Sequence, residues 1–188
     1  MDVVTAIETR RAFRSLAPVE ITDDMAKELA RCANLAASCA NFQPERYVFV
    51  YSKEMLEKMR PVFDKGNKWC FSASMMIVVF SEKSLDCTSP DREWYLFDTG
   101  MATAQLILRA VEMGLVAHPI SGFNAQMAKE ILGIPANNVV IAMVLVGKKS
   151  PDLNPDLSPK QIEREARRPD RYPLEKFAFK DRYEGKFG

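Results

Sequence analysis

A layered α/β or α+β domain is predicted from three observations. Four short apolar runs, near residues 46–51, 74–80, 115–118 and 139–146, have the length and composition of strands, helical stretches separate them, and at 188 residues the chain fits one domain able to bury most of its apolar surface. The stretch from Asp98 to Asn124, DTGMATAQLILRAVEMGLVAHPISGFN, organises the rest. Between Gly100 and Gly114, the residues Met101, Ala102, Ala104, Leu106, Ile107, Leu108, Ala110, Val111 and Met113 fall on almost every side of a helix. Such a helix needs cover all round, more than one small domain offers, so a second copy in a two-fold dimer is expected to supply part of it.

Residues 3–15 (VVTAIETRRAFRS) read as a helix with Val3, Ile7 and Phe13 facing inward and Arg10 and Arg14 stacked at i, i+4. The arginines at its end are either a solvated face or an anion site, because guanidinium forks match phosphate oxygens. Thr22 caps a helix through Met25, Leu29, Ala33 and Leu35 that ends near Ser38. In the loop Ser38-Cys39-Ala40-Asn41-Phe42-Gln43-Pro44, Pro44 is expected to hold Gln43 extended. The Ser, Asn and Gln side chains there make ordinary turns or offer neutral hydrogen bonds to a ligand. A strand over 47–51 follows, then a helix capped by Ser52 through Met55, Leu56 and Met59. Gly66-Asn67-Lys68-Trp69 breaks the pattern, with Trp69 expected in the core, before an apolar strand over 75–80.

Residues 83–89 read as loop, with Ser89 as N-cap and Pro90 as first residue of the long helix. Gly114 ends that helix as a left-handed cap, residues 115–117 read as buried strand, and His118-Pro119-Ile120-Ser121-Gly122-Phe123 as a turn whose glycine allows close approach. Asn124 caps a helix over 125–132, Gly133 stops it, and residues 139–146 form an apolar strand ending at Gly147. From Ser150 the chain becomes rich in proline and charge, with little apolar content before Leu174, Phe177 and Phe179. Ser158-Pro159-Lys160-Gln161 has capping-box form and predicts a short helix to about Arg168. Residues 160–188 hold nine basic and six acidic residues, with Arg164, Arg167, Arg168 and Arg171 clustered. This segment is a solvated extension or an arm that wraps a partner chain and adds cations to an anion site.

Charge and composition narrow the function. With 26 basic and 25 acidic residues the net charge is +1, which gives no long-range field to draw in nucleic acid or an anionic membrane. No apolar run reaches bilayer length, and the opening MDVVTAIETRR begins with helical periodicity and lacks a signal-peptide core, so a cytoplasmic protein is expected. Cys32, Cys39, Cys70 and Cys87 show no C-x-x-C spacing and only one His is present, which argues against zinc. The cysteines are expected to be reduced and mostly buried. The shortage of His also argues against imidazole acid/base chemistry, leaving a bound cofactor to carry any reaction.

Several segments together resemble the nitroreductase family of FMN-dependent oxidoreductases. Arg10-Arg11-Ala12-Phe13-Arg14 resembles its R-R-S-x-R opening, and Ala37 to Pro44 resembles its P-S-x-x-N-x-Q-P segment. Gly114-Leu115 followed by His118 to Phe123 resembles its G-L … P-x-x-G-F turn, and Arg168 to Lys176 resembles its basic C-terminal ending. The resemblance implies a central mixed or antiparallel sheet flanked by helices, with residues 150–188 as a C-terminal arm reaching onto the partner subunit. It also implies a homodimer with FMN at the interface and NADH or NADPH as electron donor.

The resemblance further implies roles for individual residues. Arg10, Arg11, Arg168 and Arg171 are placed near the phosphate, with Ala12 beside them, and Arg14 near the pyrimidine edge. Ser38, Cys39, Asn41 and Gln43 surround the ribityl chain or ring, in part from the other subunit, and Asn67 and Lys68 lie near the pyrimidine ring. Pro119, Ile120, Ser121 and Gly122 lie beside the isoalloxazine, with a backbone N–H of Ser121 or Gly122 aimed at flavin N5. No side chain is then required as catalyst, and no metal is implied. Four positions depart from the family pattern: Ala12 replaces Ser, Ala37 replaces Pro, Glu45 replaces Trp, and Ser121 stands where some members carry Glu. The implied reaction is ping-pong hydride transfer from NAD(P)H through the flavin to a nitroaromatic or quinone, at one shared site, as no G-x-G-x-x-G segment is present. A flavin-binding or storage protein without turnover would use the same residues. A cysteine hydrolase built on Cys39, His118 and Asn41 is the reading from another class.

Overall fold

A computed structural model describes residues 1–187; Gly188, the end of the expected arm, lies outside them. Its helices are α1 (Val3–Thr9), α2 (Asp23–Asn34), α3 (Lys53–Met59), α4 (Trp94–Glu112), α5 (Ala125–Leu132) and α6 (Pro159–Ala166). Its strands are β1 (Leu16–Ala17), β2 (Arg46–Val50), β3 (Met75–Ser81), β4 (Thr88–Ser89), β5 (Arg92–Glu93), β6 (Val116–Ile120) and β7 (Val139–Lys149). All strand pairs are antiparallel. β7 pairs with β3, β6 and β1, β2 pairs with β3, and β4 with β5 forms a separate hairpin.

The sheet is buried on both faces, so the period-2 alternation of β3 divides its side chains between two cores. Met75, Ile77 and Val79 pack with Leu29 and Ala33 of α2 and with Ala102, Leu106 and Ala110 of α4. Met76 and Val78 pack with Met59, Val62, Trp69, Cys70 and Ala128 on the other face. Trp69 is fully buried, as expected. The caps predicted at Thr22, Ser52 and Asn124 all accept from the helix backbone, Gly133 ends α5 with a left-handed φ of 67°, and the Ser158/Gln161 capping box is formed. Gly114 has the left-handed φ, 76°, expected after α4.

The chain departs from the sequence expectation in six places. α1 stops at Thr9 rather than Ser15, with Val3 and Ile7 exposed, because the Arg14 and Ser15 amides donate to Glu165 instead of continuing the helix. Arg10 and Arg14 therefore do not stack on a helical face. Ser89 and Pro90 lie in the β4–β5 hairpin, and α4 begins at Trp94. His118, Pro119 and Ile120 belong to β6 and not to a turn; Pro119 is tolerated because β6 pairs on one side only. β7 runs past Gly147 to Lys149, where its last residues pair with β1. Gln43 is not extended but has a φ of 52°. Finally, Cys39 and Cys87 form a disulfide, so only Cys32 and Cys70 are free thiols.

Within this chain α4 is covered on one side only. Thr99, Ala102, Thr103, Leu106 and Ala110 face the core, while Leu96, Phe97, Gly100 and Ala104 are exposed. No helix among the described residues is long and apolar enough to cross a membrane.

His118, on β6, stacks on Trp69 with ring centroids 4.7 Å apart, and its Nδ1 lies 3.0 Å from the Phe13 carbonyl oxygen. Burial, opposed in part by that carbonyl, pushes its pKa down to about 4 from an ordinary 6.5. Above pH 6.5 both folded and unfolded chains hold neutral imidazole. As the pH falls from 6.5 toward 4 the unfolded chain binds the proton and the folded one does not, so stability falls. Urea unfolding should show His118 removing up to roughly 3 kcal/mol across that window. A His118→Gln variant with an unchanged pH slope would contradict this.

Candidate functional site

The segment from Arg10 to Arg14 is extended because two groups from α6 claim it. The Glu165 carboxylate accepts from the Arg14 N–H at 2.6 Å and the Ser15 N–H at 3.2 Å. The Arg11 guanidinium donates to the Arg164 and Glu165 carbonyls at the end of α6, at 2.9 and 3.0 Å. Arg168, just beyond α6, donates back to the Glu8 and Arg10 carbonyls at 2.5 and 2.6 Å. Two segments about 150 residues apart in sequence are thus laced together by charge-assisted bonds, which are stronger than neutral ones.

Between them is a cavity of about 190 Å³ lined by Arg10, Arg11, Ala12, Arg14, Arg164, Arg168, Pro169 and Arg171. Among the described residues, none of these six arginines makes an ion pair with a carboxylate inside 4.0 Å. The Arg10 guanidinium is held below its ordinary pKa by burial and by Arg168 and Arg171, and that of Arg14 by burial, partly offset by Glu165. Six arginines around one small hollow give it the charge and donors that suit an anion. A larger hollow, about 500 Å³, is enclosed by residues 174–187 of the arm alone.

A second group of predicted residues adjoins this cavity through Trp69. The Arg14 guanidinium lies 5.7 Å from the Trp69 ring centroid, and Trp69 Nε1 donates to Asn67 Oδ1 at 3.1 Å. Asn67 Nδ2 in turn donates to the Gly122 carbonyl at 2.8 Å. The Phe63–Phe123 bridge and the Asn124 N–H to Val62 carbonyl bond close the same junction. A Cβ on Gly122 would run into the Asn67 amide, so a side chain there cannot coexist with this contact. Pro119 and Ser121 are exposed and Ile120 and Gly122 half-buried. Among the described residues no turn, loop or cap hydrogen bond uses the Ser121 or Gly122 N–H. Lys68 is exposed beside them. The Gly122 turn, Asn67, Trp69, Arg14 and the arginine cavity therefore form a continuous strip.

The third group is elsewhere. Ser38, Cys39, Asn41 and Gln43 sit at the N-terminal part of α4, where the Cys39 N–H donates to Asp98 Oδ2 at 2.6 Å. Ser38 Oγ accepts from the Gln43 N–H, and Gln43 Oε1 accepts from Asn34. Cys39 has its N–H on Asp98, its carbonyl on the Phe42 N–H and its sulfur on Cys87, so it shapes the loop. Asn41 is exposed, with φ of 61°. None of the four lines the arginine cavity of its own chain. The hydrolase reading has no geometric support, since Cys39 is bonded to Cys87 and His118 is stacked on Trp69.

Sequence reasoning placed Arg164 in the C-terminal arginine cluster of a candidate anion site but gave it no individual role, and the structure lines the cavity with it. Glu165, Asp86 and Asp98 gave no signal, because a carboxylate accepting backbone N–H groups has no sequence pattern. Removing the Glu165 carboxylate with Glu165→Ala strands two backbone donors and should lower the urea-measured unfolding free energy by about 2 kcal/mol or more. A change of under roughly 0.5 kcal/mol, the scatter of neutral surface substitutions, would contradict the role given to it.

Residues 63–148 match the Nitroreductase family. A protein of Archaeoglobus fulgidus provisionally named NADH dehydrogenase/NAD(P)H nitroreductase is 31% identical over 145 residues, covering 75% of this chain and 82% of that one. The crystal structure of an FMN-containing oxidoreductase superposes with a TM-score of 0.82 at 26% identity, covering 99% of this chain and 94% of the other. A provisionally named nitroreductase of Exiguobacterium sibiricum in complex with FMN gives 0.77 at 22% identity, over 95% and 96%.

Proposed function

The chain belongs to the nitroreductase family, and from that premise we propose that it is a homodimeric, FMN-dependent NAD(P)H oxidoreductase acting on an electron-poor acceptor of the nitroaromatic or quinone type. The observation that carries this is the cavity of six arginines, none of which is paired with a carboxylate among the described residues. A phosphate monoester with close to two negative charges meets that need, and Gly122, with no Cβ, lets the Asn67 amide pack against the turn beside the cavity.

Arg10, Arg11, Arg164, Arg168 and Arg171 would hold the FMN phosphate, with Ala12 lining the wall, and Arg14, Asn67 and Lys68 would meet the pyrimidine side. The backbone from Pro119 to Gly122 would face the ring, and Ser38, Asn41 and Gln43 would come from a second copy. When bound, FMN would supply the redox chemistry between NADH or NADPH and the acceptor, and a single shared site would give ping-pong kinetics. The chain's part is electrostatic: a fixed cation at Arg14 favours negative charge on the pyrimidine, and free N–H groups at Ser121 and Gly122 offer neutral donors. His118 takes no part as an acid, being buried and neutral at physiological pH.

Two features support the dimer: the exposed Leu96, Phe97, Gly100 and Ala104 side of α4, and the arm's exposed Tyr172, Leu174 and Phe177. In this reading the whole chain works as one flavin-binding domain, with residues 150–188 as its arm.

Sedimentation should give twice the 21.3 kDa chain mass. The purified protein should hold a flavin spectrum that bleaches without oxygen on adding NADH or NADPH. Arg10→Ala and Arg171→Ala should each weaken FMN binding about ten-fold, as expected for one charged hydrogen bond. A flavin that stays oxidised with both nucleotides would instead indicate a binding protein, and no uptake of FMN would overturn the reading.

A further inference from the structure

The loop after α2 is held in an unusual shape. Ala40, Asn41 and Gln43 have φ of 46°, 61° and 52°, a region that residues with a Cβ seldom adopt, Asn being the most tolerant of it. Its anchors include the Ser38 Oγ bond from the Gln43 N–H at 3.0 Å, the Cys39 N–H to Asp98 Oδ2 bond at 2.6 Å, side-chain bonds to Gln43 from Asn34 and Arg46, and the bond from Cys39 to Cys87. Cys87 lies 48 residues away, at the entry to the β4–β5 hairpin, so this disulfide is a tie between two otherwise separate surface segments.

The surroundings of the bond are those of a reactive disulfide. Both cysteines are half-buried, so a reagent can reach them, whereas Cys70 is enclosed and burial pushes its thiol pKa far up. Asp86 is only 4% exposed; its Oδ1 accepts from the Cys87 N–H at 2.7 Å, while its Oδ2 is buried with no partner among the described residues. The sulfurs of Cys39 and Cys87 and a carboxylate oxygen of Asp86 all lie within 4.8 Å of one another. Burial raises the Asp86 pKa, and so does the Asp98 carboxylate, which is close enough to share a hydrogen bond with it. A buried carboxyl beside a disulfide is placed to give a proton to a departing sulfur.

We propose that Cys39–Cys87 is a reversible thiol–disulfide exchange site open to small dithiols, that Asp86 protonates the departing sulfur, and that the redox state of the pair controls the shape of residues 38–43. A thiolate of the dithiol attacks Cys39 Sγ, the Cys39–Cys87 bond breaks, and its electron pair goes to Cys87 Sγ, which takes the Asp86 proton. The second thiol of the reagent, giving its proton to the Asp86 carboxylate, attacks its own sulfur now joined to Cys39. The reagent leaves as a cyclic disulfide, and the Cys39 thiolate takes a proton from water. Two electrons and two protons pass in total from the dithiol to the cysteine pair. Control of the ligand loop rests on the flavin reading above, because Ser38, Asn41 and Gln43 are there assigned to FMN.

The test uses the full chain and dithiothreitol as the dithiol. Denatured, air-oxidised protein should show two free thiols, and protein reduced under native conditions four. Asp86→Asn should slow native reduction about 100-fold, the lower end of a proton-donor effect, with two thiols still counted beforehand. Reduction should weaken FMN binding about five-fold through lost preorganisation; Cys87→Ser should match the reduced form, and reoxidation should restore the wild type. Four thiols before reduction, or an Asp86→Asn rate equal to wild type, overturns the exchange site. Equal FMN affinity in both redox states overturns the control. If neither state takes up FMN, the flavin reading and the control fall together, and the exchange site is decided by the thiol counts and rates alone.

Discussion

The Glu165 carboxylate is the contact on which the rest of the candidate site depends. It is 9% exposed, and it accepts from two consecutive backbone N–H groups at the point where α1 has ended and the chain turns toward β1. Without it residues 10–15 have no reason to be extended. It is also the carboxylate that partly offsets the burial of Arg14. Two carbonyl-directed guanidinium groups, Arg11 and Arg168, complete the lacing, and each spends its donors on backbone instead of on acid. The result is a cluster of cations held in place by neutral acceptors, which leaves its charge available.

The sheet supplies the rigid base for this. β7 ends and β6 begins where β1 joins, and there His118 stacks on Trp69 and meets the Phe13 carbonyl, with the Arg14 guanidinium near the Trp69 ring. From Trp69 the chain of contacts runs through Asn67 to the Gly122 carbonyl. A flat, anionic ligand lying along this strip would find charge at one end and backbone N–H groups at the other. The loop at residues 38–43 stands apart, at the start of α4 beside the helix face that this chain leaves open. That separation accords with a site completed by a second copy.

Much of the fold was legible because it follows local rules. The caps at Thr22, Ser52, Asn124 and Ser158, the glycines at 114 and 133, and the apolar strands β3 and β7 are set by residues within a few positions of one another. The errors fell where distant partners decide. α1 ends early because of a carboxylate about 150 residues downstream, the Cys39–Cys87 bond spans 48 residues, and Gln43 gives up the conformation favoured before proline inside a tied loop. The arginines themselves were legible, and the structure gathers Arg10, Arg11, Arg14, Arg168 and Arg171 around one cavity. That Arg164 joins them, and that Arg11 and Arg168 act as braces, depended on how α6 docks.

The most direct test of the account is the ratio of FMN to riboflavin affinity, measured by flavin fluorescence quenching on the apoprotein. The two ligands share the ring and ribityl chain and differ in the phosphate. If the unpaired arginines are the anchor, riboflavin should bind about 100-fold more weakly, equivalent to losing two or more charged hydrogen bonds. Equal affinities would mean that the arginine cavity does not receive the phosphate, and the central assignment would fail.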